Sequence, residues 1–182
     1  MGKPVPGFDV NIVDDSDNVL PDNEVGHIAT RTSGDWPVGL FHGYLRDGEL
    51  ITDSFRNGWY FTVDTASRDA DGYLWFVGRS DDLILSAGYR ISPFEVESAL
   101  LEHETIVESA VVGVPDETRG QLVKAYVILT AGVEGTDELA KEIQEFCKNL
   151  TAPYKYPREI EFVSELPKTI SGKIRRVELR GT

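Results

Sequence analysis

The chain has 182 residues, 41% hydrophobic and 27% charged, an ordinary globular composition with room for one large or two small domains. A single cysteine, Cys147, excludes an internal disulfide framework and a multi-cysteine zinc site. The net charge of −13 argues against nucleic acid or an anionic membrane as the main partner.

The charge is uneven: residues 1–140 carry 9 Lys/Arg against 25 Asp/Glu, and residues 141–182 carry 9 against 6. An acidic body with a basic tail suits solubility and can still offer a local site for a small anion. No run nears the ~18 apolar residues of a membrane span. The opening Met1–Pro6 lacks the apolar core of a secretory signal, so the expected location is cytoplasmic.

The first 78 residues read as β. Phe8–Val13 alternates apolar and polar, the period of a half-buried strand, and Asp14–Asn18 supplies turn chemistry. A second strand is predicted at Gly26–Arg31, followed by a loop at Ser33–Pro37. Two more are predicted at Trp59–Val63 and Tyr73–Val77, with Asp69-Ala70-Asp71-Gly72 as the turn between them.

After Gly78 the texture changes. Asp82–Leu85 and Tyr89–Ile91 flank Ser86-Ala87-Gly88 and predict a hairpin. Ser92-Pro93-Phe94-Glu95 predicts a helix start, with Ser92 as cap, Pro93 at the first helical position and Glu95 completing a capping box; the helix should reach about His103. Val107–Val114 and Leu122–Leu129 are β-branched runs, hence strands. Leu139, Ile143, Phe146 and Leu150 predict a helix over 137–149, Ile160–Val163 a last strand, and the chain closes on a short helix from about Gly172. The expected fold is α+β: a β-rich subdomain over 1–78, then a small α+β domain over 79–182.

His27, His42 and His103 lie on unrelated segments without metal-ligand spacing, so no metal site is expected. Cys147 reads as inert helix surface. Ser171-Gly172-Lys173 is not a phosphate loop, because Ile174 stands where Ser or Thr is required and Pro167 where the first glycine belongs. What remains is a Gly/Ser turn, a lysine and a basic helix, which suits phosphate or carboxylate oxygens. Asp64 could accept hydrogen bonds from ribose or merely end a strand. Arg79 and Arg90 could be surface charge.

Taken together, these residues form an ordered set: Thr62-Val63-Asp64, then Gly78-Arg79-Ser80-Asp81-Asp82, Gly88-Tyr89-Arg90-Ile91 and Pro167–Lys173. The set resembles the C-terminal third of the acyl-adenylate-forming enzymes, and Gly2–Gly7 extends the resemblance over essentially the whole chain. Pro37–Tyr44 and Thr151–Arg158 are most similar to medium-chain acyl-CoA synthetases.

The resemblance implies a two-step reaction: a carboxylic acid and Mg-ATP give acyl-AMP, and CoA then displaces AMP. It places Asp64 on the ribose hydroxyls, Arg79 on the nucleotide, Arg90 on the acyl-adenylate or phosphates, and Lys173 as the catalytic lysine of adenylation. It makes Asp81 the hinge of a mobile C-terminal domain. Ala87, Gly88 and Tyr89 would meet the pantetheine arm of CoA, with Arg119, Lys148, Tyr156, Pro157 and Arg158 around the rest of it; Lys148 and Tyr156 could equally be structural.

Val63 departs from the glycine common in the family's Thr-Gly-Asp motif. The phosphate loop, the Mg2+ ligands and the fatty-acid pocket have no counterpart here. The expectation is a C-terminal fragment of an acid–thiol ligase, inactive without its large N-terminal domain. The alternative is a stand-alone, non-catalytic module that binds CoA or a nucleotide or docks a partner.

Overall fold

The computed structural model describes residues 1–180, and the chain divides into two compact units, Met1–Asp81 and Asp82–Thr182. Together they make an α+β protein rich in strands.

The first unit is all β. Strands β1 (Val10–Val13), β2 (Gly26–Arg31) and β6 (Trp59–Arg68) pair antiparallel in that order. On the far side of β6, β5 (Phe55–Arg56) takes its start and β7 (Leu74–Arg79) its end. Both faces of this sheet are covered, by Ile12, Ile28, Ala66 and Leu74 on one and by Val13, Ala29, Trp59 and Phe61 on the other. Two guanidinium groups lie over the second cluster, Arg31 4.1 Å from the Trp59 ring and Arg56 4.0 Å from Phe61.

The Asp69 turn forms as the sequence predicts: its carboxylate accepts from the Asp71 and Tyr73 amides and from Trp75 Nε1. The sequence pattern missed a separate hairpin, β3 (Tyr44–Arg46) and β4 (Glu49–Ile51), whose turn Asp47-Gly48 has both residues at positive φ.

The second unit centres on β11 (Gly120–Leu129), antiparallel to β10 (Ile106–Asp116) and parallel to β12 (Glu159–Phe162). Its first residue meets the hairpin β8 (Ile84–Ser86) and β9 (Tyr89–Ile91). Helices α1 (Pro93–Leu100) and α2 (Asp137–Leu150) bury Val96, Leu100, Ile143 and Cys147 against Val111, Val123 and Val127. The opposite face holds Ala110, Val112, Tyr126, Leu166 and Leu179, the last from the short helix α3 (Arg176–Leu179).

Three local expectations change. Pro93 opens α1 as expected, but the Ser92 side chain does not cap it and Glu95 instead pairs with Lys155 at 3.0 Å. The helix stops at Leu100, short of His103. Cys147 is not helix surface: it is fully buried one turn beyond Ile143, and burial pushes its thiol up to about 11. No helix among the described residues is long and apolar enough to cross a membrane.

Candidate functional site

In the first unit the chemistry gathers at an irregularity in β6. Between the pairs His27↔Thr65 and Ala29↔Phe61, Thr62, Val63 and Asp64 all face Ile28 alone, so the strand bulges. Thr62 Oγ1 holds the bulge, donating to the Ile28 carbonyl at 3.2 Å and accepting from the Asp64 amide at 3.2 Å. Val63 has φ 70°, the left-handed region that favours glycine and is hardest on a β-branched side chain. The backbone thus keeps a glycine's conformation with a valine in place. Ser80 supports it, donating from both its amide and its hydroxyl to the Val63 carbonyl, at 2.7 and 2.9 Å.

The bulge re-aims Asp64 beside Tyr60. Burial first, then the hydrogen bond to Tyr44 and the charge of Asp64, push the Tyr60 hydroxyl up to about 12, so it stays neutral. Asp64 and Arg79 are register partners across β6 and β7. The Arg79 guanidinium forks onto Asp81, Nε to Oδ1 at 2.9 Å and Nη2 to Oδ2 at 2.8 Å.

In the second unit, the link from β8 to β9 is a two-residue turn with Ala87 at φ 50° and Gly88 at φ 83°. Only glycine, and to a lesser degree Asn or Asp, takes this conformation cheaply, so Ala87 is strained. The Ala87 amide donates to the Arg119 carbonyl at 2.9 Å, and the Leu85 amide to Gln121 Oε1 at 2.7 Å, which fastens the turn to the β10–β11 connection. A Cβ at Gly88 would meet nothing within 4 Å, so the space over the turn is open. Next to it Tyr89 stacks on Tyr154, ring centroids 4.1 Å apart and 12° from parallel.

The segment following Tyr154 gathers three more of the expected residues. Arg158 lies over the Tyr156 ring at 4.8 Å and Lys148 near it at 5.9 Å, while Pro157 is fully buried. Lys148 also pairs with Glu145 at 3.0 Å. Arg90 is exposed on β9.

Lys173 is exposed on a small hairpin, not at a helix N-terminus as the sequence suggests, since α3 begins only at Arg176. The hairpin closes through the Thr169 amide to the Lys173 carbonyl and the Arg175 amide to the Pro167 carbonyl, both 2.8 Å. Its ammonium makes no ion pair with the described residues, and its neighbours in the basic tail are largely neutralised: Lys168 by Glu108, Arg175 by Glu178, Arg176 by Glu97 and Arg180 by Asp82.

Sequence reasoning assigned no role to Glu97, Asp82, Arg176 or Tyr154. A glutamate inside an apolar helix face is the one signal that pointed to the first of these. Among the described residues no three His, Cys, Asp or Glu side chains stand together as a metal site.

The AMP-binding enzyme C-terminal domain family matches residues 95–173. The mitochondrial acyl-coenzyme A synthetase ACSM3 of Rattus norvegicus is 53% identical over 182 residues, 99% of this chain and 31% of its own length. The 4-hydroxybutyrate–CoA ligase 1 of Metallosphaera sedula is 56% identical over 99% of this chain and 32% of its own. Among solved structures, the o-succinylbenzoate CoA synthetase of Bacillus subtilis, in complex with its acyl-adenylate intermediate, superposes with a TM-score of 0.83 at 33% identity over 100% of this chain and 35% of that one. The chain thus spans about a third of the length of the relatives it matches. Residues 95–173 thus match the AMP-binding enzyme C-terminal domain family, within a chain similar along nearly its whole length to acyl-coenzyme A synthetases.

Proposed function

We propose that this chain is the C-terminal portion of an AMP-forming acyl-CoA synthetase, which joins a carboxylic acid to CoA at the expense of ATP. The observation that carries the reading is the glycine-like bulge at Val63, which keeps Asp64 in place on β6 although the glycine itself is gone. A strained backbone persists where the surrounding structure holds it, and such places cluster at ligand clamps.

In this reading Asp64 accepts from the ribose hydroxyls, and Arg79 leaves Asp81 to meet the nucleotide. Lys173, exposed and without an ion pair among the described residues, offers a point charge to the carboxylate and α-phosphate oxygens as negative charge builds in the transition state. Arg90 serves the phosphates or the acyl-adenylate. The open turn at Ala87 and Gly88 admits a thin pantetheine arm, and Lys148, Arg119 and Arg158 are the cations its phosphates need, with Tyr156 as an aromatic platform between two of them.

The domain boundary belongs near Asp81, with the β unit finishing a larger nucleotide-binding domain and residues from 79 onward forming a lid that turns about Asp81. Mg2+ ligands and the acyl pocket would then lie in the larger part of the enzyme. The single buried thiol suits a reducing compartment such as the cytosol.

The test is a chimera: the Metallosphaera sedula ligase with its matching segment replaced by this chain, assayed with ATP, CoA and butyrate, octanoate or 4-hydroxybutyrate. The chimera should form acyl-CoA and AMP, whereas the 182 residues alone should form neither. Turnover by the isolated chain, or a folded chimera without turnover, would contradict the proposal.

A further inference from the structure

We infer that Arg176 is a positioning residue for Lys173: the carboxylates it grips fix the root of the hairpin that carries the lysine. The inference rests on the adenylation role proposed for Lys173 and deepens it.

Just past the closing bond of the Lys173 hairpin, Arg176 turns into the protein. Its Nη2 donates to both oxygens of Glu97, at 2.8 and 2.7 Å, its Nε lies 3.3 Å from Oε1, and its Nη1 lies 3.6 Å from Asp82 Oδ2. Glu97 is buried on α1 and also accepts the Val111 amide at 2.8 Å, while Asp82 accepts from Arg180 as well. On the other limb of the hairpin, Lys168 pairs with Glu108 at 2.8 Å and Leu166 is buried. The root is held on both sides, and the tip that carries Lys173 is left in solvent.

A buried ion pair is a poor way to gain stability, because apolar residues of similar volume often do as well or better. What the guanidinium fork supplies is direction. Its planar donors fix rotation as well as distance, which an apolar contact does not.

The test uses the pair variant Glu97→Leu with Arg176→Met, which removes the fork without leaving a buried charge unpaired. In the full chain, amide exchange at Thr169 and Arg175, the closing bonds of the hairpin, should rise about tenfold or more while the β10–β11 amides other than Val111, which loses its Glu97 acceptor, stay within about twofold. In the chimera, the same variant should slow acyl-AMP formation about tenfold and leave thioester formation from supplied acyl-AMP within about twofold. Arg176→Lys, which keeps the charge without the fork, should recover only part of the loss. Unchanged hairpin exchange, or equal loosening of β10–β11, would overturn the inference, as would parallel loss of both half-reactions. If the parent chimera makes no acyl-adenylate, the ligase reading fails while the exchange arm still decides whether Arg176 orders the hairpin.

Discussion

Gly88 carries two separable demands. It stands at φ 83°, after Ala87 at φ 50°, and a Cβ on it would enter open space. Gly88→Ala therefore meets no neighbour and is penalised through the backbone: a side chain in the left-handed region costs about 1–2 kcal/mol. Part of that is offset because alanine removes freedom from the unfolded chain, by about 0.4–1 kcal/mol.

The net of about 1 kcal/mol should lower the melting temperature of the second unit by about 4–8 °C, given its size. Gly88→Asn, whose side chain tolerates this conformation, should lose less than half as much. Both variants place atoms over the turn, so in the chimera both should raise KM for CoA about tenfold while acyl-AMP formation is spared. Calorimetry and the two half-reaction assays read these effects independently. Equal melting losses for the two variants would refute the backbone argument, and an unchanged KM for CoA in Gly88→Asn would show that the glycine serves the turn alone.

Three further outcomes follow from packing. Ser109 Oγ is buried without a partner among the described residues, so Ser109→Ala should raise stability by about 1 kcal/mol in denaturant unfolding, and a loss would contradict that reading. Cys147, raised by burial from its ordinary 9.0 to about 11, should resist iodoacetamide at pH 8 in the folded chain and react once guanidinium unfolds it. Because its folded value is the higher one, its contribution to stability is fully present below pH 9 and fades as pH rises toward about 11, which pH-dependent melts of the parent and Cys147→Ala would compare. Thr62→Val removes both hydrogen bonds of the β6 bulge and should destabilise the first unit by about 1–2 kcal/mol, more than Thr62→Ser, which keeps them.

Much of the fold was legible because period-2 strands and a strongly amphipathic α2 write their burial into the sequence. Gly26–Arg31 matches β2 at both ends, and Ala87-Gly88 falls where the hairpin turns. The failures have local causes. Ser92 and Glu95 have the letters of a capping box, but tertiary packing buries Ser92 and draws Glu95 to Lys155. Cys147 sits between Phe146 and Lys148 along the chain, and only the helical turn back to Ile143 turns it inward. The lysine segment looked like a helix start because Ser171 and Gly172 precede basic residues, yet its backbone bonds close a hairpin first.

At the candidate site, residue types were readable and arrangement was not. Nothing in the order of residues 82, 97 and 176 announces that their side chains converge, because the link spans α1, β10 and the tail. The left-handed conformation of Val63 was invisible for the opposite reason: valine is the residue least expected there.

The most direct measurement of the central claim compares half-reactions in the chimera and its Lys173→Ala variant. Acyl-AMP formation from acid and ATP should fall at least about a hundredfold, the scale of losing one charge-stabilising group, while thioester formation from supplied acyl-AMP and CoA continues near the parent rate. Adenylation that persists in Lys173→Ala would contradict the assignment of this chain as the portion that carries the adenylating lysine.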